Sequence, residues 1–396
     1  MKKFLSLVLA LVMTMSLVTV SAGAKDFTDD SEITYKEAVD VISALGVVDG
    51  YSDGDFRPDD VLTRGAAAKI ICNLILGPTT ASALSAGTAP FKDVPVTNTF
   101  AGYITYCSQQ GIISGYADGT FRPTGTLSGN AFMKMLLGAL GYDSSIEGYT
   151  GANWQVSVIK QASGIGLDDG NDEFVGSQAV TRQEAALYAF NMLQATMVEY
   201  DKKDTIVVGD ITITGDVEYK DITSSADYAK AMADKVLDDG KYAVQLGEKL
   251  FDGSLKIDTA VTSDAFARPA RTWNYKGEQV VVAADEADYV LNGEVTGKEL
   301  FNTVGETLAD SNKYTWTINL DGTTGSTFSQ SNVTKSNDNA LLGTGNGTVM
   351  EIFVTKEYVS SSEKGYVVVS IVNTYAGQIS SVMGQDDVDE DEGSPM

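Results

Sequence analysis

Histidine is absent from this 396-residue chain. That removes Ser-His-Asp and Cys-His nucleophilic machinery and every histidine-bearing zinc site. Cysteine is nearly absent: only Cys72 and Cys107 occur. An exported protein permits a disulfide, but both lie at apolar-stripe positions of helices in different repeats, so buried free thiols are expected. Positive charge is scarce too. There are 28 Lys and Arg against 54 Asp and Glu, a formal net charge of −26. Such a field repels polyanions at long range, which argues against nucleic acid as a partner. An anionic target would have to be held at short range by a few placed arginines, and only Arg57, Arg64, Arg122, Arg182, Arg268 and Arg271 are available.

Long apolar runs are confined to the start. Lys2 and Lys3 precede an almost wholly apolar stretch from Phe4 to Val20, and Ala22-Gly23-Ala24 supplies small residues for cleavage. Residues 1–24 are therefore expected to be a secretory signal peptide. Removing it leaves a formal charge of −28, since only two lysines go. No later run nears the roughly 20 apolar residues of a spanning helix. The mature protein is expected to be exported, with no membrane segment after cleavage.

What is present is repetition. Gly50-Tyr51-Ser52-Asp53-Gly54-Asp55-Phe56-Arg57-Pro58 returns as Gly115-Tyr116-Ala117-Asp118-Gly119-Thr120-Phe121-Arg122-Pro123. Each is followed by a helix opener, Leu62-Thr63-Arg64 and Leu127-Ser128-Gly129, and a third, Val180-Thr181-Arg182-Gln183-Glu184, follows a worn loop. Copying one supersecondary unit implies stacked units that share a core. Apolar residues at helical spacing flank each loop, from Tyr35 to Leu45 and Ala66 to Ile75 in the first copy, Tyr103 to Cys107 and Phe132 to Leu140 in the second, and Trp154 to Ile165 and Ala185 to Leu193 in the third. Three helix–loop–helix units are expected at 25–80, 88–143 and 150–197. Gly77 to Ala89 reads as a flexible surface connection.

Past a linker at 198–204 the texture turns β-rich or α+β over residues 205–384. Strands are expected at Ile206–Val208, Ile211–Thr214, Val280–Ala283 and Tyr366–Val372, with short helices at 225–237 and 296–304. Asn292-Gly293 and Asn346-Gly347 read as tight hairpins. Residues 385–396 are an acidic run, expected to be a disordered tail. Trp273, Tyr275, Tyr314 and Trp316 read as strand packing rather than a sugar-stacking face.

The helix openers hold the candidate binding residues. Thr181 and Glu184 have capping-box spacing, whereas Thr63 and Ser128 are followed by alanine where Glu would stand. Arg64 and Arg182 occupy the first helical position, where free N–H groups and the dipole already attract anions. A cation there makes sense if an external carboxylate or phosphate bridges it, since arginine offers a bidentate fork. Arg57 and Arg122 are expected to pair locally. Asp49, Asp53, Gly54 and Asp60 fall at positions 1, 5, 6 and 12 of an EF-hand-like loop, but Tyr51 and Pro58 spoil it. Turn chemistry accounts for these aspartates; no cofactor is expected, and weak calcium binding elsewhere on the acidic surface stays open.

Phe91-Lys92-Asp93-Val94, Gly111 to Pro123, and Val180 to Glu184 together resemble the S-layer homology domain, three copies covering about 25–197. The resemblance implies a multidomain protein with an all-α, pseudo-threefold three-repeat assembly ahead of the β-rich region. Its inter-repeat grooves would bind secondary cell wall polymer, often through a terminal pyruvylated sugar. Arg64 and Arg182 would contact the acidic ketal, and Thr63, Thr181 and Glu184 would shape the helix ends. Gly129 stands where the second copy should carry arginine, so two grooves at most are expected to be competent, the Arg182 groove better formed. An arginine restored at Gly129 would be expected to add a third. The chain reads as a non-enzymatic surface anchor whose outer region is structural, adhesive or self-associating in a surface layer. The alternative is an anchored carbohydrate-active enzyme or glycan-binding protein with its site in 205–384.

Overall fold

The Phe-x-Asp and Phe-Arg-Pro elements of each repeat are two halves of one clasp. The Asp29 carboxylate accepts from the backbone N–H groups of Phe56 and Arg57 at 2.7 and 2.6 Å, and Asp93 from Phe121 and Arg122, both at 2.7 Å. This grip offsets an unusual backbone: Arg57 (φ 57°) and Arg122 (φ 60°) are both left-handed, which costs an L-residue about 1–2 kcal/mol. The two phenylalanines of each clasp pack with ring centroids 5.2 and 5.4 Å apart. Gly50 and Gly115 lie directly against these rings, where a Cβ would stand 2.6 Å from Phe27 and 2.4 Å from Phe91. Burial acts to raise the Asp93 pKa, but the two N–H donors outweigh it and hold the carboxyl below its ordinary range. Its contribution to stability is thus present above the usual carboxylate range and lost as pH falls through the depressed value. Asp93→Ala should cost about 2 kcal/mol, read as a lowered thermal midpoint at neutral pH that converges on the parent in acid.

The computed structural model describes residues 25–200, 205–208, 211–214, 218–224, 241–251, 254–258, 260–325 and 327–375. The expected signal peptide, helix 225–237 and acidic tail lie outside these residues, as does 201–204. The described helices are α1 (Lys36–Ala44), α2 (Arg64–Leu76), α3 (Pro78–Ser82), α4 (Ala101–Gln109), α5 (Gly129–Leu140), α6 (Trp154–Gly164), α7 (Arg182–Gln194), α8 (Leu246–Phe251) and α9 (Gly297–Ala309). The expected bare connection after Gly77 instead carries α3, which starts on Pro78 and buries Ala81.

Packing between these helices is cyclic. Helix α2 packs on α4, α5 on α6, and α7 on α1. At the centre, three backbone hydrogen bonds close a ring: Leu62 N–H to Val180 O, Val180 N–H to Leu127 O, and Leu127 N–H to Leu62 O, at 2.8, 2.9 and 3.2 Å. The helical stripes read from sequence (Val39, Ile42, Ile71, Leu74, Phe132, Leu136, Ala186, Leu193) are fully buried around it. Cys72 and Cys107 meet across α2 and α4, unbridged and buried, with sulfurs 3.5 Å apart.

The remaining strands are β1 (Val198–Tyr200), β2 (Thr205–Val208), β3 (Ile211–Thr214), β4 (Tyr219–Asp221), β5 (Thr223–Ser224), β6 (Tyr242–Ala243), β7 (Leu255–Ile257), β8 (Ala270–Tyr275), β9 (Glu278–Ala284), β10 (Tyr289–Asn292), β11 (Tyr314–Leu320), β12 (Thr323–Thr324), β13 (Thr348–Lys356) and β14 (Gly365–Asn373). Part of the expected linker is therefore a strand: β1 buries Val198 and pairs antiparallel with β4. The chain falls into helical N-terminal and β-rich C-terminal regions with several sheets, but its compact units do not divide at residue 205. One comprises the described residues of Met1–Thr262 with Arg271–Ala283, the other those of Ser263–Ala270 with Ala284–Met396. The reason lies in Trp273, buried against Phe190 of α7 with ring centroids 5.3 Å apart.

The second unit is a five-stranded sheet of order β10-β13-β14-β11-β12, with β11 and β14 parallel. Helix α9, opened by a Thr296/Glu299 capping box, supplies Leu300 and Val304 to a core with Met350, Ile352, Val369 and Ile371. Neither Asn-Gly pair makes a tight hairpin. Gly293 (φ 84°) turns the chain toward α9, and Gly347 (φ 86°) leads a loop into β13. Two consecutive left-handed residues, the I′ requirement, occur instead at Lys276-Gly277 between β8 and β9 and at Asp321-Gly322 between β11 and β12. Trp273 and Tyr314 are buried, which removes an open aromatic face.

Candidate functional site

Each helix opener reaches into the loop of another repeat. Thr63 caps α2, its hydroxyl accepting from Ala66 N–H at 3.3 Å, so Arg64 begins the helix. The Arg64 backbone N–H donates to Gly125 O at 2.9 Å, and its side chain turns along the second loop. There Nε donates to Phe121 O at 2.8 Å and Nη2 to Ser114 O at 3.2 Å. The guanidinium lies 4.3 Å from the Phe121 ring centroid and 5.0 Å from that of Tyr116. The third opener repeats this against the first loop. Arg182 donates from Nε to Phe56 O and from Nη2 to Asp49 O, both at 2.8 Å, above the rings of Phe56 and Tyr51. Thr181 and Glu184 form a complete capping box, with Glu184 Oε2 accepting from Thr181 N–H at 2.7 Å. The five sequence-derived residues thus form two separate clusters, Thr63–Arg64 and Thr181–Arg182–Glu184.

Sequence reading missed that these arginines are also joints between repeats. Each spends two N–H groups on carbonyls of a neighbouring loop, and the guanidinium Nη1 carries none of these bonds. The other four arginines are neutralised: Arg57 by Asp53, Arg122 by Asp118 at 3.0 Å, Arg268 by Asp264, and Arg271 by Glu37 at 2.7 Å. Arg57 and Arg122 pair locally, as expected. Among the described residues Arg64 and Arg182 have no carboxylate at ion-pair distance. Burial presses both guanidinium groups below the ordinary arginine value, yet arginine stays charged at any physiological pH.

The two grooves are unequal. A cleft of about 330 Å³ opens beside Arg64, its wall including Ser114, Tyr116, Lys134, Tyr149 and Trp154 and no carboxylate. Lys134 Nζ donates to Tyr149 O at 2.6 Å and lies 5.5 Å from the Trp154 ring centroid. Burial lowers its pKa. Tyr149 is 1% exposed and meets Lys134 through its backbone carbonyl. Two cations and aromatic faces suit a small anionic sugar. Around Arg182, by contrast, the Asp49 carboxylate holds Lys25 at 2.9 Å and Lys69 at 3.4 Å. The complete capping box orders the helix end at Arg182, whereas the carboxylate-free cleft lies at Arg64.

At the third opener, Ser128 caps α5 and Gly129 N–H donates to Gln178 O at 2.9 Å. A Cβ on Gly129 would stand 2.8 Å from the Phe174 ring and 3.1 Å from Gly176 Cα. The expectation that arginine here would add a groove is therefore corrected, because Phe174 occupies its path. Gly129→Arg should lower the thermal midpoint, by an overpacking cost of about 1–3 kcal/mol, and add no binding.

Comparison with known proteins fits this geometry. Residues 26–68 and 90–129 match the S-layer homology domain. A "Surface layer protein" of Brevibacillus choshinensis is 29% identical over 172 residues, which is 43% of this chain and 15% of that protein. The "S-layer protein EA1" of Bacillus anthracis is 24% identical across 98% of this chain and 47% of its own length. An "Endoglucanase" of Bacillus sp. (strain KSM-635) is 27% identical over 47% of this chain and 19% of its own. The chain spans less than half the length of each of these relatives. Among the described residues no helix is long and apolar enough to cross a membrane.

Proposed function

We propose that this chain, which carries S-layer homology domains at residues 26–68 and 90–129, is a secreted cell-surface protein that anchors non-covalently to the bacterial cell wall. Its ligand is secondary cell wall polymer, presented as an acidic, pyruvylated sugar. Residues 150–197 act as a third, diverged repeat, a reading supported by the closed ring of hydrogen bonds through Leu62, Leu127 and Val180. The observation that carries the proposal is the Arg64 cleft, a carboxylate-free pocket with two cations in a chain of formal charge −26. Arg64 grips the ketal carboxylate, Trp154 and Tyr116 stack on the sugar, and Thr63 fixes the helix end that supplies the dipole. Thr181, Arg182 and Glu184 build the second groove. The β-rich region is a structural module able to self-associate in a surface layer, and the protein is not an enzyme; the surface-layer relatives support this.

The test is co-sedimentation of the full mature chain with purified sacculi, before and after acid extraction of the wall polymer. The protein should pellet with intact sacculi and remain in the supernatant with extracted ones. Equal pelleting with both would place the ligand elsewhere, in peptidoglycan itself.

A further inference from the structure

Two grooves built on one plan differ at the residue that opens the repeated loop. Asp49 precedes Gly50 in the first copy and Ser114 precedes Gly115 in the second. In both, this residue's own carbonyl receives the arginine Nη2, from Arg182 onto Asp49 and from Arg64 onto Ser114. Its side chain therefore leaves the backbone beside the guanidinium. A second cation stands in register too, Lys69 five positions past Arg64 and Lys134 five past Gly129.

What each lysine does depends on that opening residue. Lys69 is tied to the Asp49 carboxylate at 3.4 Å, which Lys25 shares at 2.9 Å. Burial acts to raise the Asp49 pKa, but the two lysines together hold it below its ordinary value, so the carboxylate is charged at neutral pH. Ser114 offers no charge, and Lys134 is left with a backbone carbonyl, Tyr149 O at 2.6 Å. One groove thus keeps its lysine clear of carboxylates, while the other ties its lysine to a carboxylate that Lys25 shares.

We propose that Asp49 and Ser114 are the specificity-determining residues of the two grooves, Ser114 leaving the Arg64 cleft open to an anionic sugar and Asp49 closing the Arg182 groove to one. This rests on the wall-anchoring reading and adds which groove takes the acid and why. A carboxylate at this position repels the incoming anion and holds in an ion pair the lysine that would meet it. The interaction of unit charges a few ångströms apart at a protein surface makes the expected effect about tenfold or more in affinity.

The experiment uses the full mature chain and its Ser114→Asp and Asp49→Ser variants, titrated calorimetrically with a pyruvylated monosaccharide glycoside and its pyruvate-free counterpart. Both positions are exposed, so the exchanges should leave the thermal midpoint unchanged. The parent should bind about one equivalent of the pyruvylated sugar and far less of the counterpart. Ser114→Asp should weaken binding about tenfold, and Asp49→Ser should raise the stoichiometry toward about two equivalents. Ser114→Asp binding like the parent, or Asp49→Ser gaining no second site, overturns the assignment while leaving anchoring intact. A parent that binds neither the sugar nor sacculi sinks the anchoring reading itself, and one that binds sacculi but not the sugar refutes the acid-sugar ligand together with this assignment.

Discussion

Arg64→Ala should weaken binding of the full chain to polymer-bearing sacculi by about a hundredfold, whereas Arg182→Ala should change it by about twofold or less. Removing one partner of a partly buried, hydrogen-bonded charge pair costs about 2–5 kcal/mol, and a hundredfold is about 2.7 kcal/mol of that. The difference between the sites follows from Asp49, which holds Lys69 in an ion pair beside Arg182, while Lys134 beside Arg64 has only a carbonyl and a ring. Both variants also lose two cross-repeat hydrogen bonds to backbone carbonyls, at about 1 kcal/mol each. Binding must therefore be read well below the thermal midpoint, with the midpoint measured alongside. Arg64→Lys separates charge from geometry: it keeps the cation, loses the planar fork, and should fall between parent and alanine. Arg182→Ala weakening binding more than Arg64→Ala would overturn the ranking of the grooves.

The largest stability effect is expected far from either groove. Trp273→Ala should lower the thermal midpoint of the first unit by about 10 °C. Trp273 is completely buried, packs edge-on against Phe190 of α7, and donates from Nε1 to Glu37 Oε1 at 2.6 Å. Glu37 lies on α1 and also takes Arg271 Nη2 at 2.7 Å. Truncating a buried tryptophan costs about 3–5 kcal/mol, and each kcal/mol moves a unit of this size by about 2–4 °C. The residues from 271 to 283 thus complete the core of the helical repeats, and fragments ending near residue 200 should be less stable than the whole unit. A midpoint shift of under about 2 °C would show that the strand is an appendage and the repeats fold without it.

The helical half was legible because three independent signals agreed there. Stripe positions such as Ile71, Leu136 and Ala186 are buried, Thr63, Ser128 and Thr181 each cap a helix, and the repeated Gly-Tyr-x-Asp-Gly phrase makes the turns. The arginines were legible as anion seekers from their place at helix starts. Their second role was not, because the carbonyls of Phe56 and Phe121 that hold them belong to other repeats and only closure of the ring brings them near. The difference between Asp49 and Ser114 was printed in the sequence but looked like turn chemistry. Its meaning depends on Lys69, 20 positions away, and on which groove that lysine faces. In the β-rich half local signals were weaker. Asn-Gly promises a left-handed turn but not which strand pairs next, and β10 pairs with the distant β13. Trp273 read correctly as packing, yet its partner Phe190 lies in a helix more than 80 residues earlier.

The central claim is that an acidic wall sugar sits between Arg64 and Lys134. A structure of the full mature chain with a bound pyruvylated glycoside tests it most directly. The ketal carboxylate should lie about 3 Å from the Arg64 guanidinium, with the sugar ring against Trp154 or Tyr116. A glycoside bound elsewhere, with the Arg64 cleft left to solvent, would contradict it.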